Sequence, residues 1–92
     1  LKQALELAPD VRVNVLCPGY IDTPLIAAEN KATDGQIYAF IESAAALGRI
    51  GTMEECASTM VYLATDEAAY FTGSVLVNDG GLTALRTWGG RN

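Results

Sequence analysis

The chain has no histidine. That removes histidine-based nucleophile triads and most zinc sites from anything these residues do alone. Cysteine is scarce as well. Cys17 and Cys56 are the only two, and their spacing matches no metal or redox motif. Reduced thiols in a cytoplasmic protein are expected over a disulfide. Basic residues are few, six Lys and Arg against eleven Asp and Glu, for a net charge of -5. That balance disfavours nucleic acid or an anionic membrane as a partner. No apolar run approaches the ~20 residues that span a bilayer, and these residues hold no basic-then-apolar signal segment. Repeats, low-complexity tracts and linkers are also missing. What is left is 92 residues, half of them apolar, enough for one small globular domain. A chain of this length buries only about 60–65% of its unfolded surface, so its stability alone would be marginal.

All three prolines stand at element boundaries. Leu1–Leu7 reads as a helix already in progress, with Leu1, Leu5 and Ala8 at helical spacing, and Pro9-Asp10 ends it. Val11–Leu16 reads as a strand in which Val11, Val13 and Val15 alternate with Arg12 and Asn14. Pro18 closes that strand. Thr23 caps a following helix with Pro24 in its first position, where the missing N–H costs nothing.

That short helix covers Pro24–Asn30 and loosens around Asn30–Gly35. Thr33 and Gln36 are spaced as a capping box for the next helix, whose apolar stripe is Ile37, Phe40, Ile41, Ala44 and Leu47 or Gly48. Gly48 and Gly51 bracket a turn. A clearer capping box follows at Thr52-Met53-Glu54-Glu55, and losing Thr52 should cost about 1 kcal/mol. Met53, Cys56, Ala57, Met60, Val61 and Ala64 give the buried face of that helix. Ser74–Asn78 is a second strand, closed by Asp79-Gly80-Gly81.

Helix, strand, helices, strand is the order of a right-handed parallel pair. Two parallel strands alone do not make a stable sheet, because each needs neighbours and cover on both faces. The sequence therefore implies partner structure outside these residues.

The segment Pro18–Thr23 sits where open α/β sheets bind ligands, at the carboxyl end of a strand. Gly19 lets a ligand approach the backbone. Tyr20 and Ile21 offer main-chain groups, and the Thr23 hydroxyl stands at a helix start that favours an anionic oxygen. The plainer alternative is that Pro-Gly is a turn and Thr23 only a cap, and the residues alone leave both open.

VRVNVLCPGYIDTP followed by GRIGTMEECASTMVYLATDEAAYFTGSVLVNDGG resembles the carboxyl-terminal part of the short-chain dehydrogenases/reductases. The shared features are a strand before Pro-Gly, a hydrophobic residue and a threonine after it, Arg49-Ile50-Gly51, Glu54-Glu55, Leu63-Ala64-Thr65-Asp66, Thr72-Gly73 and Val77-Asn78-Asp79-Gly80-Gly81. Each is weak alone; their joint order and spacing, from Val11 to Leu82, are specific. Asn78 departs from the commoner Val-Asp, as one inserted residue that puts the local register in question.

The resemblance implies an α/β fold, the carboxyl-terminal portion of a doubly wound Rossmann-type parallel sheet spanning residues 1–92. It implies a parent oxidoreductase moving hydride between NAD or NADP and an alcohol/carbonyl pair. On it, Pro18, Gly19 and the Ile21 main chain border the nicotinamide, with Thr23 and Leu25 beside it. Residues 24–47 form the substrate lid, and the helix and strand within 52–81 pack two subunits of a dimer or tetramer. The catalytic Ser, Tyr-x-x-x-Lys pair and supporting Asn of the family lie upstream of Leu1. Tyr20, Tyr38, Tyr62 and Tyr70 have no lysine four residues on and carry no catalysis, so the 92 residues alone are expected to be inactive. The missing amino-terminal part of the same fold is then the first partner. A truncated module that serves only interaction or dimerisation, and a relative that binds nucleotide without catalysis, are the competing readings. Cofactor preference and substrate are not written in this segment.

Several tempting features have plainer readings. Glu54-Glu55 is explained by capping and the helix dipole. Cys17 reads as a small buried filler, Met53 and Met60 as core, and Tyr62 and Tyr70 as packing or interface residues. Gly80-Gly81 and Gly89-Gly90 read as turn and tail. Trp88 is a subunit contact or simply exposed.

Overall fold

The computed structural model describes residues 1–84. Trp88 and Gly89-Gly90 lie outside the described residues. The elements are α1 (Lys2–Leu7), β1 (Val15–Pro18), α2 (Pro24–Ala32), α3 (Gln36–Ala44), α4 (Met53–Ala64), a 3-10 turn (Asp66–Ala68) and β2 (Val75–Asn78). β1 and β2 pair in parallel, with Val15, Leu16, Cys17 and Pro18 opposite Val75, Leu76, Val77 and Asn78.

The first strand starts later than its alternation of valines suggested. Val11–Asn14 are bonded but not in a ladder. Arg12 donates to the carbonyls of Leu63 (2.9 Å), Phe71 (3.2 Å) and Thr65 (3.3 Å), placing a cation on the carboxyl end of α4, where the helix dipole favours it. Asn14 donates to the Phe71 carbonyl at 3.1 Å and accepts from the Ser74 N–H at 3.0 Å. Arg12, Val13 and Asn14 are half-buried alike, while Val11 and Val15 are exposed. These side chains stitch the approach to β1 onto residues 71–74.

The helix starts follow the sequence in two cases and depart from it in one. Thr23 caps α2 by accepting from the Ile26 N–H, with Pro24 in the first turn. Thr52 and Glu55 form the reciprocal capping box of α4. Thr33 does not open α3. Its hydroxyl donates back to the Glu29 and Asn30 carbonyls and so closes α2, which runs to Ala32. The free N–H at the start of α3 is met by the Asn30 side chain, which accepts from Tyr38 N at 2.8 Å.

Half-buried Leu16, Leu76 and Asn78 lie on one face of the sheet. That face meets α4, where the Asn78 amide donates to the Thr59 hydroxyl at 2.8 Å. The α4 residues turned inward are Cys56, Thr59 and Leu63, all half-buried. Met53, Met60 and Val61 are exposed, not core. Reading apolar residues alone misjudged this face because a threonine–asparagine pair holds its centre. The other sheet face, with Val15, Cys17, Val75 and Val77, is exposed. Cys17 is thus no buried filler, and both cysteines are free thiols.

Fully buried side chains among the described residues are Ala4, Ile41, Ala45 and Ala68. Phe40 and Leu47, expected on the inner stripe of the lid helix, are exposed. The chain exposes 6696 Å², against about 5100 Å² for a compact monomer of its mass.

Candidate functional site

β1 ends at Pro18, which has no N–H for a ladder. Gly19 extends the pairing by one bond, donating to the Asn78 carbonyl at 3.1 Å. A Cβ on Gly19 would lie 2.6 Å from the Asp79 Cβ and 2.8 Å from its Cα. The glycine is therefore demanded by the neighbouring loop, and the ligand-approach argument is not needed to explain it.

The chain then makes a one-residue parallel bridge, Ile21 opposite Gly51. Gly51 N–H donates to the Tyr20 carbonyl at 3.0 Å, and Asp22 N–H donates to the Gly51 carbonyl at 2.8 Å. In such a bridge the central residue's own N–H and C=O point away from the partner strand. Ile21 is half-buried, and its main-chain groups form no hydrogen bond among the described residues. Thr23 spends its oxygen on the Ile26 N–H at 3.3 Å and keeps its hydroxyl proton to donate. Leu25 is exposed on the first turn of α2. Pro18, Gly19, Ile21, Thr23 and Leu25 thus occupy one continuous strand-end loop and helix start.

A small cleft of about 70 Å³ lies beside this loop, between Tyr20, Ile21, Leu47, Arg49, Asp79 and Gly80. Of the five residues singled out in the sequence, only Ile21 lines it. The Arg49 guanidinium grips Glu55 in a two-pronged pair at 2.8 and 2.6 Å, and one of the same carboxylate oxygens accepts from Thr52 N–H at 2.9 Å. Arg49 first, then Thr52, hold the Glu55 carboxyl down to about 2. On the far side, Asp79 accepts from the Thr83 hydroxyl (2.6 Å), Thr83 N–H (2.9 Å) and Gly81 N–H (2.9 Å), and these donors, Thr83 first, hold its carboxyl below the usual range. Gly81 has φ +86°, and a Cβ there would fall 2.5 Å from that of Ala46, so Gly81 is a packing requirement, whereas Gly80 has room for a Cβ and is set by its φ of +63°.

Three of these features were missed by sequence reasoning. Arg49 and Glu55 are six apart across a turn, a spacing with no helical signature. The Tyr38 hydroxyl donates to Asp22 at 2.6 Å, a contact between loop and helix that no local pattern encodes. The Asp79 cap did have a signal, since an Asx turn is written in Asp-x-Gly-x-Thr. Asn78, the departure from Val-Asp, is accommodated in register opposite Pro18 with its amide on Thr59.

A family model described as Enoyl-(Acyl carrier protein) reductase matches residues 2–83. The chain belongs to the short-chain dehydrogenase/reductase family. A short-chain dehydrogenase, fogB, of Aspergillus ruber is 38% identical over 73 residues, covering 79% of this chain and 26% of the relative. A solved structure of 4-hydroxyisoleucine dehydrogenase complexed with NADH superposes with a TM-score of 0.79 at 34% identity, covering 92% of this chain and 35% of that one. YwfH, an NADPH-dependent reductase involved in bacilysin biosynthesis, superposes with a TM-score of 0.80 at 31% identity over 91% of this chain and 35% of its own. The α/β reading and the Rossmann-type sheet agree with these relatives. The chain spans 26–30% of the length of the curated relatives it matches. Among the described residues no helix is long and apolar enough to cross a membrane.

Proposed function

We propose that these residues are the carboxyl-terminal segment of an NAD- or NADP-dependent oxidoreductase that interconverts an alcohol and a carbonyl by hydride transfer. One observation carries the reading: the Ile21 N–H and C=O are turned away from the Gly51 bridge and left unused at the carboxyl end of β1. A planar carboxamide has one donor and one acceptor edge and can be met by such a pair. Thr23 adds a hydroxyl donor at the start of α2, where the helix dipole favours an anionic oxygen. The nicotinamide, when bound, supplies or accepts the hydride. The segment's share is a wall: Pro18, Gly19 and Ile21 orient the ring, Thr23 and Leu25 border it, and residues 24–47 cover the substrate. The proton-transferring tyrosine and its lysine come from outside the segment.

The surface supports the same reading. The bare sheet face of Val15, Cys17, Val75 and Val77 and the outer strand edges suit the amino-terminal part of the same fold. The outer face of α4, with Met53, Met60 and Val61 exposed, suits a second subunit in a dimer or tetramer.

The test is fluorescence titration of the full-length protein with NADH and NADPH, followed by a carbonyl-reduction assay. Saturable binding of either nucleotide is expected. A protein that binds neither overturns the reading and leaves the interaction-module alternative.

A further inference from the structure

Tyr38 joins three pieces of the structure. Its N–H is the one capped by Asn30 of α2 (2.8 Å), its backbone belongs to the first turn of α3, and its hydroxyl donates to the Asp22 carboxylate (2.6 Å). Asp22 is itself fixed by its N–H on the Gly51 carbonyl at 2.8 Å, the bond that closes the Ile21 bridge. Two residues further along α3, the Phe40 ring meets Tyr20 edge-on at 6.3 Å and 84°. Tyr20 lies on the other side of the same bridge. The α2–α3 hairpin is thus tied to both flanks of Ile21, once by a charge-assisted hydrogen bond and once by an aromatic pair. The Asp22 carboxylate also holds the Tyr38 hydroxyl protonated, above the usual phenol range.

We propose that Tyr38 is a positioning residue: through Asp22 it tethers the α2–α3 hairpin to the loop that carries Ile21, so that the lid and the cofactor wall are set together. The cofactor half of this proposal rests on the reading above; the tether itself does not.

The sequence provides a reporter. Lys31, exposed at the end of α2, is the only Lys or Arg between Arg12 and Arg49. Trypsin cuts there only when the hairpin opens, so the cleavage rate measures its local stability. In the full-length protein, Tyr38→Phe should raise cleavage after Lys31 about three- to tenfold, as expected for losing one charge-assisted hydrogen bond at a partly exposed site. Asp22→Ala should match it, and the double variant should add little beyond either single one. Asp22→Asn keeps an acceptor oxygen but loses the charge assistance, so its rate should lie between the native one and that of Tyr38→Phe, within about threefold of native. Native-like cleavage in Tyr38→Phe, or additive effects in the double variant, overturns the tether.

NADH titration tests the second half. Tyr38→Phe should weaken binding about threefold while Asp22→Asn stays near native. Unchanged NADH affinity in Tyr38→Phe overturns the coupling to the cofactor wall. Failure of the unsubstituted protein to bind NADH or NADPH instead overturns the functional reading and leaves the protease result standing.

Discussion

Replacing Gly19 with alanine should destabilise the protein by about 3 kcal/mol, the upper end of what overpacking costs. The added Cβ would stand 2.6 Å from the Asp79 Cβ and 2.8 Å from its Cα, whereas carbon atoms rest about 3.5–4.0 Å apart. Something must therefore move by about 1 Å. Asp79 is poorly able to do so, because its carboxylate is held by Gly81 and by both donors of Thr83. The strain falls on the end of β2 and on the Gly19–Asn78 hydrogen bond. Gly51→Ala is the control. There the nearest atom is the Ile21 Cδ1 at 3.0 Å, the free tip of a side chain that can change rotamer, and the cost should be about 1 kcal/mol or less. Urea unfolding followed by circular dichroism measures both. If Gly19→Ala falls within about 0.5 kcal/mol of the native protein, or costs less than Gly51→Ala, the packing argument is wrong. In that case a ligand's approach would be the better account of the glycine, and the loss should then appear in cofactor affinity.

Thr52→Ala should cost about 1 kcal/mol through the lost cap of α4, read from the same urea midpoints. Glu55 has its carboxyl lowered from 4.5 to about 2 by Arg49 and Thr52. A depressed carboxyl stabilises the fold above its unfolded value and loses that effect as pH falls through the window between the two. Stability should therefore drop between about pH 5 and pH 2, and Glu55→Gln should flatten part of the slope, with the rest coming from Asp79. A Glu55→Gln profile parallel to the native one would refute the assignment. Thr23→Ala should weaken NADH or NADPH binding in the full-length protein by about 1 kcal/mol, roughly fivefold, and Thr23→Ser should restore it; equal affinity in all three removes Thr23 from the pocket. Apart from the tether residue Tyr38, changes within Ala27–Ala46 should shift substrate preference more than cofactor affinity, checked by kcat/KM ratios across a carbonyl panel.

Local chemistry was the most legible part of the sequence. Thr23-Pro24 and Thr52-x-x-Glu55 announce helix starts because their bonds close within three residues, and both stand as expected. The strand-end loop was legible for a similar reason: Pro18 forbids a ladder N–H whatever surrounds it. The sequence misled wherever a side chain had a choice of distant partners. Thr33 is as well placed to close one helix as to open the next, and it closes. Arg12 and Asn14 look like the solvent side of a strand, yet their partners lie more than fifty residues ahead. The faces of α4 were misjudged because hydrophobicity says which side chains prefer burial and not which cover is present. Met60 and Val61 satisfy the pattern and stay exposed, while Thr59 sits inside with Asn78.

The stitching of residues 12–14 onto residues 63–74 has a kinetic consequence. β1 and β2 have no turn between them to bring them together; Asn14 and Ser74 are 60 residues apart. Closing a loop of that length costs about 3.6 kcal/mol beyond a constant term, and four ladder pairs return that only after the register is found. Arg12 adds bonds outside the ladder, because the Leu63 and Thr65 carbonyls it holds lie at the carboxyl end of α4 and not in β2. A chain that first docks Arg12 on α4 has only about ten residues left to search before Val75 meets Val15. Docking Arg12 on Leu63 itself closes 51 residues, at about 3.5 kcal/mol on the same scale, so the guanidinium does not remove the long closure; its bonds share that cost with the ladder.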